Sequence, residues 1–555
     1  MRICTETLIA AACLAAVPAA ASARVIGTKH NLAIQRQNAA VPAASREVCA
    51  FCHTPHAPRV KKALWNQQMS SAVYKPYESS TLGAKVGQPT GASKLCLSCH
   101  DGTIAAGTVL KGRRAGSAKA WTLDRRKVLG TDLSDDHPIS FRYDAALFGR
   151  DPQLVNPATL PKSVPLDANR EMQCTSCHDA HDDKFGSFLV ADNGRSALCT
   201  ACHDMSGWRS SAHANSAARW SGAKDNPWPG SPYRTVAENG CASCHQTHAA
   251  RHPERLLSRR GHDEVCLGCH AGTVAAANIE AAMSGPSAHR TIEAGDIHDP
   301  VEDPVKGMPL HVTCVDCHNP HDGGARSRTA SAPHASMRGV SGVDAGGAFV
   351  KESRHEHEIC YKCHGLDGRQ PAKPRVLRID DERNIRRQFD LSNQSFHPVH
   401  GKAPSSRATV LTPSHSSDRV IQCTDCHGNG AAKGPKGPHG SIFAPILRLP
   451  YSTADRTVES GSAYALCYEC HDRTAVLYGA TRFKKHADHV VKHRTPCSAC
   501  HDAHGSQRNR GLINFDRAIV KPAAGSAAVS FVPAGRTGGR CYLSCHGAVH
   551  NPRTY

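Results

Sequence analysis

The residues with the most chemistry to offer are cysteine and histidine, and they do not occur independently. Of 26 cysteines, all but Cys4 and Cys13 fall into twelve pairs, and each pair is followed at once by a histidine. Eleven pairs have two intervening residues. Along the chain they are Cys49 and Cys52 before His53, Cys96 and Cys99 before His100, Cys174 and Cys177 before His178, and Cys199 and Cys202 before His203. Next come Cys241 and Cys244 before His245, Cys266 and Cys269 before His270, Cys314 and Cys317 before His318, and Cys360 and Cys363 before His364. Cys423 and Cys426 before His427, Cys467 and Cys470 before His471, and Cys497 and Cys500 before His501 complete the eleven. The twelfth has one residue more, Cys541-Tyr542-Leu543-Ser544-Cys545-His546.

Such spacing suits one chemistry above others. Two thiols separated by two residues lie on one side of a helical turn, where they can add across the two vinyl groups of a haem; the next residue presents its imidazole to the iron. Zinc ribbons do not need a histidine after every pair, and thiol oxidoreductases carry one or two pairs rather than twelve. The expected cofactor is therefore haem c, twelve copies covalently attached, with the twelve motif histidines as proximal iron ligands.

A second axial ligand must come from the 24 remaining histidines, since only seven methionines exist and none recurs at a fixed offset. His56, His181, His248, His321 and His504 each follow a motif histidine by three residues. On a helix that offset puts both imidazoles on one side, so the trailing histidine is expected to reach a neighbouring haem rather than its own. His137 and His397 share a His-Pro context, His213 and His289 follow Ser-Ala, His439 sits in Gly-Pro-His-Gly, and His30 precedes the first motif. With His489, for which His486 and His493 compete, these complete twelve distal candidates. His298, His311, His400, His415 and His550 are reserves. His252, His262, His334, His355 and His357 read as surface residues.

The elements that must position these groups are short. Aromatics are only 5% of the chain, against 45 glycines, 34 prolines and 36 histidines, a composition poor for an ordinary side-chain core. The expected fold class is a multihaem cytochrome c, mostly coil and short helices packed around haems, with very little strand; porphyrin faces supply the missing apolar interior. First cysteines are separated within successive pairs by 47, 25, 25, 46, 44 and 44 residues. The motifs group by fours, which suggests tetrahaem segments at 24–215, 216–375 and 376–555, with loops at 111–127, 326–347, 428–440 and 521–540. Arg2, the apolar stretch from Leu8 to Val17 and Ala21-Ser22-Ala23 read as a signal peptide over 1–23; the stretch is too short to span a bilayer, which takes about 20 apolar residues. The formal charge of +19 would suit an anionic partner. Ionised haem propionates would bring it to about +7 with ferric and about −5 with ferrous iron, so nucleic-acid binding is not expected.

The chain resembles the doubled-CXXCH multihaem cytochromes of bacteria that respire metals and other extracellular acceptors. The resemblance is carried by Glu47-Val48-Cys49-Ala50-Phe51-Cys52-His53-Thr54-Pro55-His56, by Cys96-Leu97-Ser98-Cys99-His100-Asp101-Gly102-Thr103, by Asp136-His137-Pro138-Ile139-Ser140-Phe141 and by Cys541 to Gly547. It implies a periplasmic or cell-surface electron carrier with bis-histidine haems, partnered by other redox proteins such as quinol-linked or periplasmic cytochromes, or by neighbours in an outer-membrane conduit. Two other functions compete. A multihaem reductase or oxidase needs one iron with an open position, which nitrite reductases often mark with Cys-x-x-Cys-Lys; that variant is absent. A filament subunit would lend a distal histidine near a terminus, such as His30, to the next molecule.

Overall fold

The computed structural model describes residues 25–32, 48–54, 56, 58, 62–104, 110, 123–290, 298–307, 311–322, 332–369, 374–402, 410–416, 418–431, 433–479, 481–535 and 538–555. Residues 1–23, read as a signal peptide and holding Cys4 and Cys13, lie outside them. The described chain forms two compact units. One is Met1–Ser206 with Ser231–Tyr233 and Glu238–Arg260; the other is Gly207–Gly230, Arg234–Ala237 and Gly261–Tyr555. Five motifs belong to the first and seven to the second.

Helices are short and paired strands mostly shorter. The longest helices, Gly91–His100, His262–His270 and Glu356–His364, each end on a motif histidine. Two-residue antiparallel pairs such as Phe141–Arg142 with Glu171–Met172 pin loops rather than build sheets. Apolar side chains form several small clusters in place of one core. Phe141, Tyr143, Leu147, Val164 and Met172 make one; Val343, Tyr361, Phe389 and Val399 make another. Among the described residues no helix is long and apolar enough to cross a membrane.

Two sequence expectations need correcting. The segment 521–540, read as a loop, contains strand Ser530–Ala534, which joins Gly538–Cys545 and Ala548–Thr554 in a three-stranded antiparallel sheet. The twelfth motif therefore rides a strand rather than a helical turn. Its extra residue removes the helical spacing, and the pairing of Leu543 with His550 and Cys545 with Ala548 takes up the backbone hydrogen bonds a helix would have used. Gly342–Val343 and Phe349–Val350 likewise pair at the end of the 326–347 loop.

Candidate haem sites

Each of the first eleven motifs sits on one helical turn, and four of these turns are capped by the preceding motif. Ser93 Oγ accepts the Cys174 amide at 3.0 Å, Ser196 Oγ the Cys241 amide, and Asp263 Oδ1 the Cys314 amide at 3.0 Å. Glu356 Oε1 accepts the Thr424 amide at 3.0 Å. The acceptor stands three or four residues before the first cysteine of one motif and satisfies the exposed N-terminal amides of the next. At the second of these contacts Gly240 has φ +51°, and a Cβ there would meet Ser196 Oγ at 2.2 Å, so the approach requires glycine.

These caps bring cysteines of successive motifs together. Cys96 contacts Cys174, Cys199 contacts Cys241, Cys266 contacts Cys314 and Cys360 contacts Cys423, each pair within thiol hydrogen-bond reach. Second cysteines alternate with them: Cys52 lies close to Cys99, Cys177 to Cys202, Cys317 to Cys363, Cys426 to Cys470 and Cys500 to Cys545. With Cys467 near Cys497, the motifs follow one another in sequence order from first to fifth in one unit and from sixth to twelfth in the other.

The fifth motif, with Cys244, belongs to the first unit and the sixth, with Cys269, to the second. Both are half-buried and are fixed by their backbone. The Cys244 amide donates to Cys241 O at 3.1 Å, and its carbonyl accepts the Ser258 amide at 2.9 Å. The Cys269 carbonyl accepts the Val274 and Ala275 amides at 3.2 Å and 3.0 Å, which closes the turn after His270.

Imidazoles then face each other in pairs. His53 faces His181 with ring centres 6.2 Å apart, His100 faces His30 at 6.3 Å, His178 faces His248 at 6.2 Å and His203 faces His137 at 6.3 Å. In the second unit His270 faces His213 at 6.2 Å, His318 faces His439 at 5.9 Å, His364 faces His289 at 6.1 Å and His427 faces His504 at 6.3 Å. His471 faces His397 at 6.3 Å and His501 faces His486 at 6.2 Å. Two nitrogen–metal bonds of about 2.0–2.1 Å, with about 1.1 Å from nitrogen to ring centre on each side, span about 6.2–6.4 Å. The rings are thus spaced to hold one iron between them. His181, His248 and His504 each face the motif histidine two sites earlier, not their own.

Orientation comes from the other ring nitrogen. Nδ1 of His53 bonds Ala63 O at 2.6 Å, His100 bonds Lys127 O at 2.8 Å, His178 bonds Ser187 O at 2.9 Å and His501 bonds Gly511 O at 2.7 Å. Donation from Nδ1 to a carbonyl fixes the tautomer that leaves Nε2 free to bind metal. The facing rings are held in a recurring clasp. Nδ1 of His30 bonds Ala180 O at 3.0 Å, His213 bonds Pro320 O at 2.9 Å, His289 bonds Pro438 O at 2.8 Å and His397 bonds Ala503 O. Every acceptor is the residue just before another histidine of the set: His181, His321, His439 or His504. The fifth clasp uses backbone, with the His137 amide on Thr247 O at 2.9 Å, one residue before His248.

At seven of these imidazoles burial favours the neutral form, the one a metal ligand must take. It pushes His203, His270, His364, His439, His471, His501 and His504 down to about 4. His248 is the exception. Burial works to lower it, but Asp136 Oδ1 at 3.0 Å from its Nδ1 carries the net shift upward.

The remaining candidates are placed as follows. His56 is exposed and faces no imidazole among the described residues. His245 donates Nδ1 to Arg255 O at 2.8 Å in the first unit, and His321 lies beside Trp208 in the second. His489 faces His550 at 6.2 Å, while His546 directs Nε2 to Asp455 Oδ1 at 2.7 Å. His357, read as a surface residue, is buried against His400 and Tyr361. The clasps and the caps are not legible in the sequence, which offers His486 only as a competitor of His489. Their only signals are a small residue or proline ahead of a histidine and a polar residue three or four places before a cysteine pair.

Residues 167–207 and 234–275 match the doubled CXXCH motif family. The chain carries this domain and is a multihaem c-type cytochrome. It is also 34% identical, over 94 residues, to multiheme cytochrome MtrA of Shewanella baltica (strain OS185). The match covers 17% of this chain and 21% of the relative, so the chain spans about a fifth of that protein's length.

Proposed function

We propose that the chain carries twelve haem c groups, mainly bis-histidine ligated, and serves as an electron carrier in the periplasm or at the cell surface. The observation that supports this reading most strongly is the set of ten motif histidines each facing a second imidazole at iron-spanning distance. Haem supplies a reversible one-electron couple at each site. The residues supply the rest. Cysteine contacts fix the order and closeness of the sites, paired imidazoles would hold the iron between them, and Nδ1 hydrogen bonds lock the rings against movement. We assign His489 and His550 to the twelfth site, with His546 held by Asp455.

A reductase would need an open position at one iron, and at ten of the motif histidines the facing imidazole leaves none. A filament that borrows His30 is not favoured, because His30 faces His100 of the same chain. The partners in this reading are other redox proteins, with no role for nucleic acid. A potentiometric titration of the purified holoprotein tests the proposal. Uptake of twelve electrons per chain, with the iron low-spin throughout and no nitrite turnover, is the expected result. Catalytic reduction of nitrite or hydroxylamine at a high-spin iron would refute it.

A further inference from the structure

Four side chains in the second unit converge without belonging to any haem pair. His298 Nδ1 lies 2.7 Å from Glu302 Oε1 and 3.0 Å from Asp316 Oδ1, and His311 Nε2 lies 3.3 Å and 3.4 Å from the same two oxygens. All four atoms lie within 4.8 Å of one another. The site is closed: side-chain exposure is 10% for His298, 14% for Glu302, 2% for His311 and 8% for Asp316.

Short distances alone would suit a network of hydrogen bonds. Yet Glu302 Oε1, His311 Nε2 and Asp316 Oδ1 are buried with no hydrogen-bond partner. Their contacts are close but misaimed for a proton, as donor atoms are when they point at a common centre. A buried atom left so is destabilising, and more so when charged. The remaining carboxylate oxygen of Asp316 is used differently. Oδ2 accepts the Thr313 amide at 2.7 Å and the Thr313 hydroxyl at 2.9 Å, capping the turn that carries the seventh motif.

We propose that His298, Glu302, His311 and Asp316 form a structural zinc site that anchors the turn bearing Cys314, Cys317 and His318. Two nitrogens and two oxygens suit zinc, whereas calcium and magnesium take six or more oxygens. Bonds of about 2.0–2.1 Å in a tetrahedron place donors about 3.3–3.4 Å apart, close to the spacings seen at His311. One divalent ion also neutralises the two carboxylates and leaves both imidazoles neutral, which removes the cost of burying unpaired charge. With four protein ligands in a closed pocket the ion has no open position, so its role is mechanical. The residues span 298–316, and the ion would tie this stretch to the seventh haem motif.

The test is metal analysis of the full holoprotein grown with zinc and dialysed free of loose metal, beside the variants His311→Ala and Glu302→Gln. One zinc per chain is expected, falling at least about tenfold in His311→Ala while covalent haem content stays at the wild-type level. X-ray absorption at the zinc edge should show only nitrogen and oxygen ligands, at about 2.0–2.1 Å. Should the variants fail to mature, chelator extraction of the wild type followed by titration with zinc chloride gives the same answer, with one tight site expected. A wild type that neither retains nor rebinds zinc, a stoichiometric metal other than zinc, or undiminished zinc in His311→Ala would overturn the proposal.

Discussion

The first eleven motifs and the last hold the same chemistry on different backbone. On a helical turn the motif histidine leaves at a fixed angle beside its cysteines, and a returning loop supplies the carbonyl that orients it, as Ala63 does for His53 and Gly511 for His501. On the terminal hairpin, His546 follows Cys545 at φ +50° and turns to Asp455, while His550 on the adjoining strand faces His489. Adjacency to the cysteine pair does not by itself make a histidine face a partner; the local backbone decides. The same lesson holds for the facing ring, which is set by a clasp onto the residue before another histidine rather than by nearness in sequence.

The largest effect should come from breaking the hairpin's departure directly. His550→Ala should convert one iron per chain to high spin in the electron paramagnetic resonance spectrum, and His546→Ala should leave the low-spin count unchanged. The opposite outcome would return the terminal site to the pattern of the other eleven.

Acidification should give the next largest effect. Unfolded histidines protonate near 6.5, whereas burial holds seven imidazoles of the helical-turn sites to about 4. At acid pH the unfolded chain therefore binds more protons, and these groups' contribution to stability is lost as pH falls below about 6.5. Thermal melts of the holoprotein across this range should show a steadily falling midpoint. A midpoint independent of pH would contradict it.

The cap contacts should matter less. Ser196→Ala removes the acceptor for the Cys241 amide and should cost about 1 kcal/mol, read as a lower denaturation midpoint with haem content intact. The smallest effect is expected at His248. Asp136→Asn weakens the anionic partner of its Nδ1 and should raise the potential of the third haem by about 60 mV, the equivalent of a tenfold change in relative binding to the two oxidation states. A spectroelectrochemical titration resolves this, and an unchanged titration curve would show that the carboxylate does not tune the site.

The cysteine pairs and the poverty of ordinary core were legible in the sequence because attachment chemistry imposes strict local spacing. The short-helix, coil-rich fold followed from the same fact. Less legible was whatever depends on distance through space. Six anchored motif histidines draw Nδ1 acceptors from positions nine to eighteen residues downstream: Ala63, Ser187, Arg255, Ser336, Pro445 and Gly511. The variable loop length hides a repeated device. His486 and His489 stand three residues apart and compete on equal terms in sequence; only the surrounding turn sends one toward His501 and the other toward His550. His298 and His311 read as spare ligands because the carboxylates they meet are not part of any recognisable motif.

Everything depends on the chain holding its cysteines and paired imidazoles ready for twelve covalent haems, and intact mass spectrometry with a pyridine haemochrome assay on the purified protein tests this most directly. Twelve haems per chain with no free thiol in the motifs is the expected result. Fewer haems, or motif cysteines recovered as free thiols or bound to zinc, would contradict it.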